Sequence, residues 1–264
     1  MYNFNYHKPA SVAEAQTLLA DAEDGLYLAG GHTLLPTMKQ RLRAPTDVID
    51  LSAIEGLRGI EDSAEALTIG AMTCHDAVAT SAQVGKAIPA LAHLAAGIGD
   101  AQVRNRGTIG GSVANSDPAA DYPAAIVGLG ATIETDSREI SADDFFTGMF
   151  ETALQAGEMI QRISFPIPET AGYLKFPNPA SRYATVGVMI SRSADAVRVA
   201  ITGAAPCVFR STAMEQALAA NFSAEALAGI SLSPDDMNSD IHASAEYRAH
   251  LCSVMARRVM QNLT

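Results

Sequence analysis

Two short segments carry the residue types best suited to chemistry, Ala29-Gly30-Gly31-His32-Thr33 and Thr108-Ile109-Gly110-Gly111-Ser112. Each joins a glycine pair to flanking hydroxyls. Glycine reaches positive φ and lets the backbone come close to a ligand. Successive N–H groups in such a turn form an anion-binding nest. A helix starting just after Thr33 adds its positive dipole end. Thr33, Thr108 and Ser112 can each donate a hydroxyl hydrogen bond to a phosphate oxygen. Two such loops can grip the two phosphates of a dinucleotide from either side, although either can also be a plain tight turn.

Downstream of the second loop, Asn115, Asp117 and Asp121 cluster in SVANSDPAADYP, which Pro118 holds out of regular structure. Carboxylates there suit ribose hydroxyls, or they form an Asx turn with solvated acids. Upstream, Arg104 and Arg106 form a basic pair that fits either a pyrophosphate or an ion pair. Other chemistries are absent. No GxxxxGK[ST] occurs, and the nearest approach to GxGxxG, GIGDAQ at 97–102, lacks the third glycine. The six histidines show no HExxH. The three cysteines, Cys74, Cys207 and Cys252, are too few and too scattered for a four-cysteine iron–sulfur cluster or a zinc knot.

The elements that must position these groups follow from the pattern. The chain has 264 residues, 48% hydrophobic and 18% charged, enough for about two domains and a core needing no staple. A net charge of −11 disfavours nucleic acid and anionic lipid as partners. No apolar run approaches the ~18 residues of a membrane span, and MYNFNYHKPA lacks the apolar core of a leader, so a cytoplasmic protein is expected. Ser11 and Glu14 form a capping box for a helix burying Val12, Ala15, Leu18 and Leu19. Leu26–Leu28 is a strand running into the first glycine loop. TLLPTMKQRL is a helix and VIDLSAI a strand. Leu67–Ile69 is a further strand, after which Thr73 caps a short helix. One helix is expected from about Lys86 to Gly97. TIGGSVAN, ATIETD and MIQRISFPI read as strands. A Pro/Gly-rich boundary, ETAGYLKFPNPASRY, leads to a hairpin turning at Ser193–Asp195. Helices at about 211–220 and from about Ser244 close the chain.

Taken together, AGGHTLLPTMKQRL, IGAMTCHDAV, RNRGTIGGSVANSDPAADYPAA, KFPNPASRYATVGV and DIHASAEYRAHLCSVMARR resemble the FAD-binding medium subunit of molybdenum hydroxylases, the aerobic carbon monoxide dehydrogenase and xanthine dehydrogenase family. The likeness runs through nearly the whole chain in order. It implies an α+β chain with a vanillyl-alcohol-oxidase-type (PCMH-type) FAD-binding fold. Two α/β subdomains, about 1–55 and 56–168, would make up that domain, followed by a small α+β domain over 169–264. It implies that Ala29, Gly30, Gly31, His32 and Thr33, with Thr108, Ile109, Gly110, Gly111 and Ser112, hold the FAD pyrophosphate. Asp121 would bind a ribityl or ribose hydroxyl. Ile98 and Ile160 match apolar positions near the flavin. Lys175 matches a flavin-proximal lysine of the xanthine-oxidising relatives, and Tyr183 a tyrosine lying over the isoalloxazine. From the residues alone, Lys175 is equally a surface lysine and Tyr183 equally an ordinary hairpin residue. FAD is expected to be non-covalent, His32 notwithstanding.

The resemblance further implies a large molybdopterin-binding subunit and a small [2Fe-2S] subunit as partners, in a dimer of heterotrimers. Electrons would pass from the clusters through FAD to an external acceptor, and this chain would carry out no substrate chemistry. The stretch before Tyr183, PNPASRY, is less basic than in the carbon monoxide enzyme proper. Two other readings stay open, a self-sufficient FAD-dependent oxidase and a cofactor-free assembly subunit. A bulky residue at Gly110 is expected to abolish FAD binding and leave the secondary structure near native.

Overall fold

The computed structural model describes residues 1–263. The first unit comprises β1 (Asn5–His7), α1 (Val12–Asp21), β2 (Gly25–Leu28), α2 (Leu34–Lys39) and β3 (Asp47–Asp50). Its sheet is parallel in the order β1-β3-β2. Parallel neighbours need crossover connections, and here α1 and α2 with their loops supply them. Ser11 caps α1 by accepting from the Glu14 amide at 3.2 Å, while the Glu14 carboxylate accepts from the Ala10 amide at 2.8 Å. Of the four residues expected to be buried on α1, only Ala15 is fully so; Val12, Leu18 and Leu19 pack at the margin of a small core with Ile49, Leu51, Ile54, Leu57, Met72 and Met159. VIDLSAI is strand only to Asp50; the Asp50 carboxylate then accepts from the Ser52 amide and starts a 3₁₀ turn.

The second unit runs through β4 (Ile60–Asp62), β5 (Ala66–Gly70), α3 (His75–Thr80), α4 (Ala82–Ala87), α5 (Pro89–Ala96), α6 (Ala101–Arg106), α7 (Ile109–Asn115) and α8 (Tyr122–Leu129). It ends with β6 (Thr132–Thr135), β7 (Glu139–Ser141), α9 (Ala142–Phe145), β8 (Phe146–Gly148), β9 (Glu151–Thr152) and β10 (Ile160–Pro166). The antiparallel sheet β4-β5-β10-β6-β7 packs under α5, α7 and α8. Every residue of α8 is buried, as its uninterrupted apolar sequence requires.

Three expectations fail here. TIGGSVAN is not a strand but the capped start of α7: the Thr108 hydroxyl accepts from the Gly111 amide at 3.1 Å. The helix foreseen over 86–97 is two helices, because Pro89 takes the first position of α5 and Ile88 is left between them. Cys74, not Thr73, precedes α3; the Thr73 hydroxyl pairs with the Gly59 backbone instead.

The remaining elements are β11 (Thr170–Pro177), β12 (Ala184–Arg192), β13 (Val197–Thr202), β14 (Phe209–Arg210), α10 (Thr212–Ala220) and α11 (Ala245–Leu263). They form an antiparallel sheet in sequence order with α10 and α11 on one face. The buried Arg248 of α11 donates to the carbonyls of Thr185 (2.7 Å) and Gly203 (2.8 Å) and to Asp240 (2.7 Å). The other sheet face packs on α8, whose Gly128 leaves room for Met189; a Cβ there would lie 2.5 Å from that side chain. Among the described residues no helix is long and apolar enough to cross a membrane.

Candidate functional site: a cleft between the two glycine segments

A cleft of about 830 Å³ opens where the three units meet. One wall is the loop from β2 into α2. The opposite wall is Gly107–Ser112. Ile98–Asp100 and His75 lie alongside, Asp117–Asp121 closes one end, Leu154 and Glu158–Ile160 another side, and Ala180–Tyr183 the rim. The two glycine segments touch directly. A Cβ on Gly30 would sit 2.3 Å from the Arg106 carbonyl oxygen and 2.7 Å from Gly107 Cα, so only glycine lets the walls approach this closely.

The two segments are not equivalent. In the first, Gly31 adopts φ +76°, and α2 begins by 35→31 and 37→33 backbone bonds. The N–H groups of Gly31, His32, Thr33 and Leu34 donate to no acceptor among the described residues. Four amides with no internal acceptor therefore stand at the start of α2, on the cleft wall. In the second, every corresponding amide is engaged: Ile109 with the Thr73 carbonyl (3.0 Å), Gly110 with Ala71 (2.8 Å), Gly111 with the Thr108 hydroxyl (3.1 Å) and Ser112 with the Thr108 carbonyl (3.0 Å). The expected second nest is therefore not present. What this wall offers is the hydroxyls of Thr108 and Ser112. Gly110 faces Ala71, 2.5 Å from where its Cβ would be, and serves packing.

Of the residues singled out from sequence, Ala29, Gly30, Gly31, His32, Thr33, Ile98, Thr108, Gly110, Gly111, Ser112, Asp121, Ile160 and Tyr183 line the cleft. Ile109 does not; its side chain is fully buried in the core. Lys175 stands behind the lining, its Nζ donating to Asp121 Oδ2 at 3.0 Å and to the Gly97 carbonyl at 2.9 Å. Asp121 also accepts from the Tyr173 hydroxyl at 2.5 Å. Burial pushes the Asp121 carboxyl up, and Lys175 and Tyr173 pull it back. Arg104 donates to the carbonyl of Ile98 at 3.1 Å, and neither it nor Arg106 lines the cleft.

Sequence reasoning missed several lining residues. Leu26, Tyr27, Leu51, Met72, Leu154 and Met159 supply an apolar surface, and Arg43 and Arg182 cations at the rim. His75 was not singled out either. It is buried, its amide donates to the Gly107 carbonyl at 2.9 Å, and its ring lies 5.3 Å from that of Tyr122. Burial, then the neighbouring His32 and Arg104, lowers its pKa to about 4, so it is neutral at physiological pH. No local signal marks these residues, because sheet pairing and loop packing bring them together. Among the described residues no three His, Cys, Asp or Glu side chains converge on a metal site.

The donor set fits FAD: four unengaged amides, three hydroxyls and the rim arginines suit a diphosphate, and the apolar wall suits a ring system. The mixed α/β architecture with this cleft is that of the PCMH-type FAD-binding flavoproteins. Residues 2–168 match the family described as the FAD binding domain in molybdopterin dehydrogenase, and residues 172–263 match the CO dehydrogenase flavoprotein C-terminal domain. The chain is 36% identical to the nicotine 6-hydroxylase medium subunit of Paenarthrobacter nicotinovorans, over 97% of this chain and 95% of that one. It is 35% identical to the carbon monoxide dehydrogenase medium chain of Hydrogenophaga pseudoflava, over 97% and 96%. The reconstituted CO dehydrogenase from Oligotropha carboxidovorans superposes with a TM-score of 0.88 at 33% identity, over 99% of this chain and 97% of that one. The chain belongs to the family of FAD-binding medium subunits of molybdenum hydroxylases, and it is an oxidoreductase subunit.

Proposed function

We propose that this chain is the electron-relay subunit of a cytoplasmic molybdenum hydroxylase, assembled with a large molybdopterin-binding subunit and a small iron–sulfur subunit as a dimer of heterotrimers. The observation that carries the reading is the cleft itself, with a row of unengaged amides, Gly31–Leu34, facing the hydroxyls of Thr108 and Ser112 in a chain that belongs to this family. Bound there non-covalently, FAD supplies the exchange between single electrons from the iron–sulfur partner and electron pairs for an external acceptor.

The chain's own groups bind and orient. The amides of Gly31 to Leu34 and the hydroxyls of Thr33, Thr108 and Ser112 hold the diphosphate. Asp121 accepts a sugar-chain hydroxyl, fixed in place by Tyr173 and Lys175. Lys175 acts through Asp121 rather than by reaching the cofactor. Tyr183 at the rim and Ile98, Leu154, Met159 and Ile160 exclude water from the ring. Substrate choice rests with the large subunit.

The test is a titration of the cofactor-free full chain with FAD, followed by delivery of electrons from the assembled complex. One FAD per chain, released by acid precipitation and reduced when the complex is given its substrate, is the expected result. A colourless chain that takes up no FAD would remove the reading, and a flavin retained covalently in the precipitate would favour the self-sufficient oxidase.

A further inference from the structure

A second cavity of about 400 Å³ lies beside the cleft, and the two share three lining residues, Asp117, Ser181 and Tyr183. Pro118, Ala119, Met149, Phe150, Asp240, His242 and Arg248 are among its other lining residues. Met149 and Phe150 on its lining are both exposed. Its polar side is set by the Arg248–Asp240 pair and the His242 ring.

Asp117 is built into the partition. Its Oδ1 accepts from the Ala119 amide at 2.9 Å, which fixes the carboxylate in an Asx turn ahead of Pro118. Its Oδ2 accepts from no donor among the described residues. One oxygen therefore anchors the group and the other is available at a wall common to both cavities.

Two-electron reduction of a flavin takes up at least one proton, and reoxidation returns it. The cleft is largely apolar, and its other carboxyl at this end, Asp121, is occupied by Tyr173 and Lys175. We propose that Asp117 is the proton port of the flavin site. This rests on the FAD reading above. On reduction by two electrons from the iron–sulfur partner, the Asp117 O–H bond breaks and a flavin N–H bond forms. The carboxylate is then reprotonated from water in the second cavity, which His242 also lines. On reoxidation by the acceptor the proton returns by the same route.

The groups facing Asp117 agree with the role. Burial raises its carboxyl above the ordinary aspartate value, favouring the protonated form that can donate. Tyr183 beside it is pushed up by burial and by the carboxylates of Asp117 and Asp121, so it stays a neutral phenol throughout. Across the second cavity Arg248 is matched by Asp240, and His242 lines the same wall.

The discriminating variant is Asp117→Asn, which keeps an oxygen for the Ala119 amide but cannot carry the proton; Asp117→Glu restores a carboxyl. The FAD-loaded full chain is cycled electrochemically and followed by infrared difference spectroscopy and by stopped-flow absorbance in H₂O and D₂O. During reduction the wild type should show a transient loss of a protonated-carboxyl band that recovers as the carboxylate is reprotonated, a band absent in Asp117→Asn. Flavin reduction in the FAD-loaded Asp117→Asn chain should be slowed ~10²-fold, within the range for removal of a proton-transfer group, with a larger solvent isotope effect. Asp117→Glu should recover most of the rate. A band that survives in Asp117→Asn, or an unchanged rate, would overturn the proposal while leaving the FAD site standing. Failure of the wild type to take up FAD would instead overturn the reading beneath it.

Discussion

Gly30 and Gly110 look alike in sequence, each the first glycine of a Gly-Gly pair with a hydroxyl nearby, yet they meet different constraints. Gly30 presses against the backbone of Arg106 and Gly107 at the junction of the two walls, whereas Gly110 presses against Ala71 inside the second unit. Gly30→Ala should part the walls of the cleft and weaken FAD at least ~10-fold, about 1.4 kcal/mol. Gly110→Ala should instead overpack the core and cost about 1–3 kcal/mol of stability. Isothermal titration and thermal melting separate the two. A Gly110 variant with native stability and impaired FAD binding would contradict this division, and the structure already revises the expectation that Gly110 could be enlarged without disturbing the fold. The sequence made both pairs legible as chemistry-bearing. It could not show that the amides of Ile109, Gly110 and Gly111 are consumed by Thr73, Ala71 and Thr108, because two of those acceptors lie on a loop about forty residues away.

The helices and strands that frame the site were legible where periodicity was strong: β2 running into its loop, α2, the β12–β13 hairpin and α11 all lie near their expected positions. TIGGSVAN misled because β-branched Thr and Ile beside glycines mimic a strand end, and the local signal that decides it, the Thr108 hydroxyl accepting from the Gly111 amide three residues on, is a helix cap. Lys175 shows a different limit. Its segment reads in sequence as a Pro/Gly-rich boundary, yet Thr170–Pro177 is strand β11, and only packing reveals that Lys175 ties that strand to the start of α8 through Asp121, and to the end of α5 through the Gly97 carbonyl. Lys175→Met should strand a buried carboxylate and destabilise the chain by about 3–5 kcal/mol. Adding Asp121→Asn should recover a good part of the loss, since the charge left unpaired is then gone. Urea midpoints for the two variants decide the matter; a double variant no more stable than Lys175→Met would show that the ion pair is not what couples these elements.

At the scale of the molecule, three units with separate sheets contribute to one cleft: the first brings the amide nest, the second the hydroxyl wall and buried Asp121, and the third the Tyr183 rim. This convergence explains why the resemblance had to extend along the whole chain to be informative, since no unit alone holds the full donor set. The net charge of −11 leaves little reason to expect an anionic macromolecule as partner; on the proposed reading, the cofactor's phosphates would be met by local dipoles and rim arginines rather than by the overall field. The central claim is that the backbone of the first glycine loop is the diphosphate cradle. Amide hydrogen exchange of the full chain with and without one equivalent of FAD measures it directly. The account predicts that exchange at Gly31, His32, Thr33 and Leu34 slows sharply on addition of FAD, while Ile109 to Ser112, already bonded within the fold, changes little. Exchange at Gly31–Leu34 that is indifferent to bound FAD would contradict it.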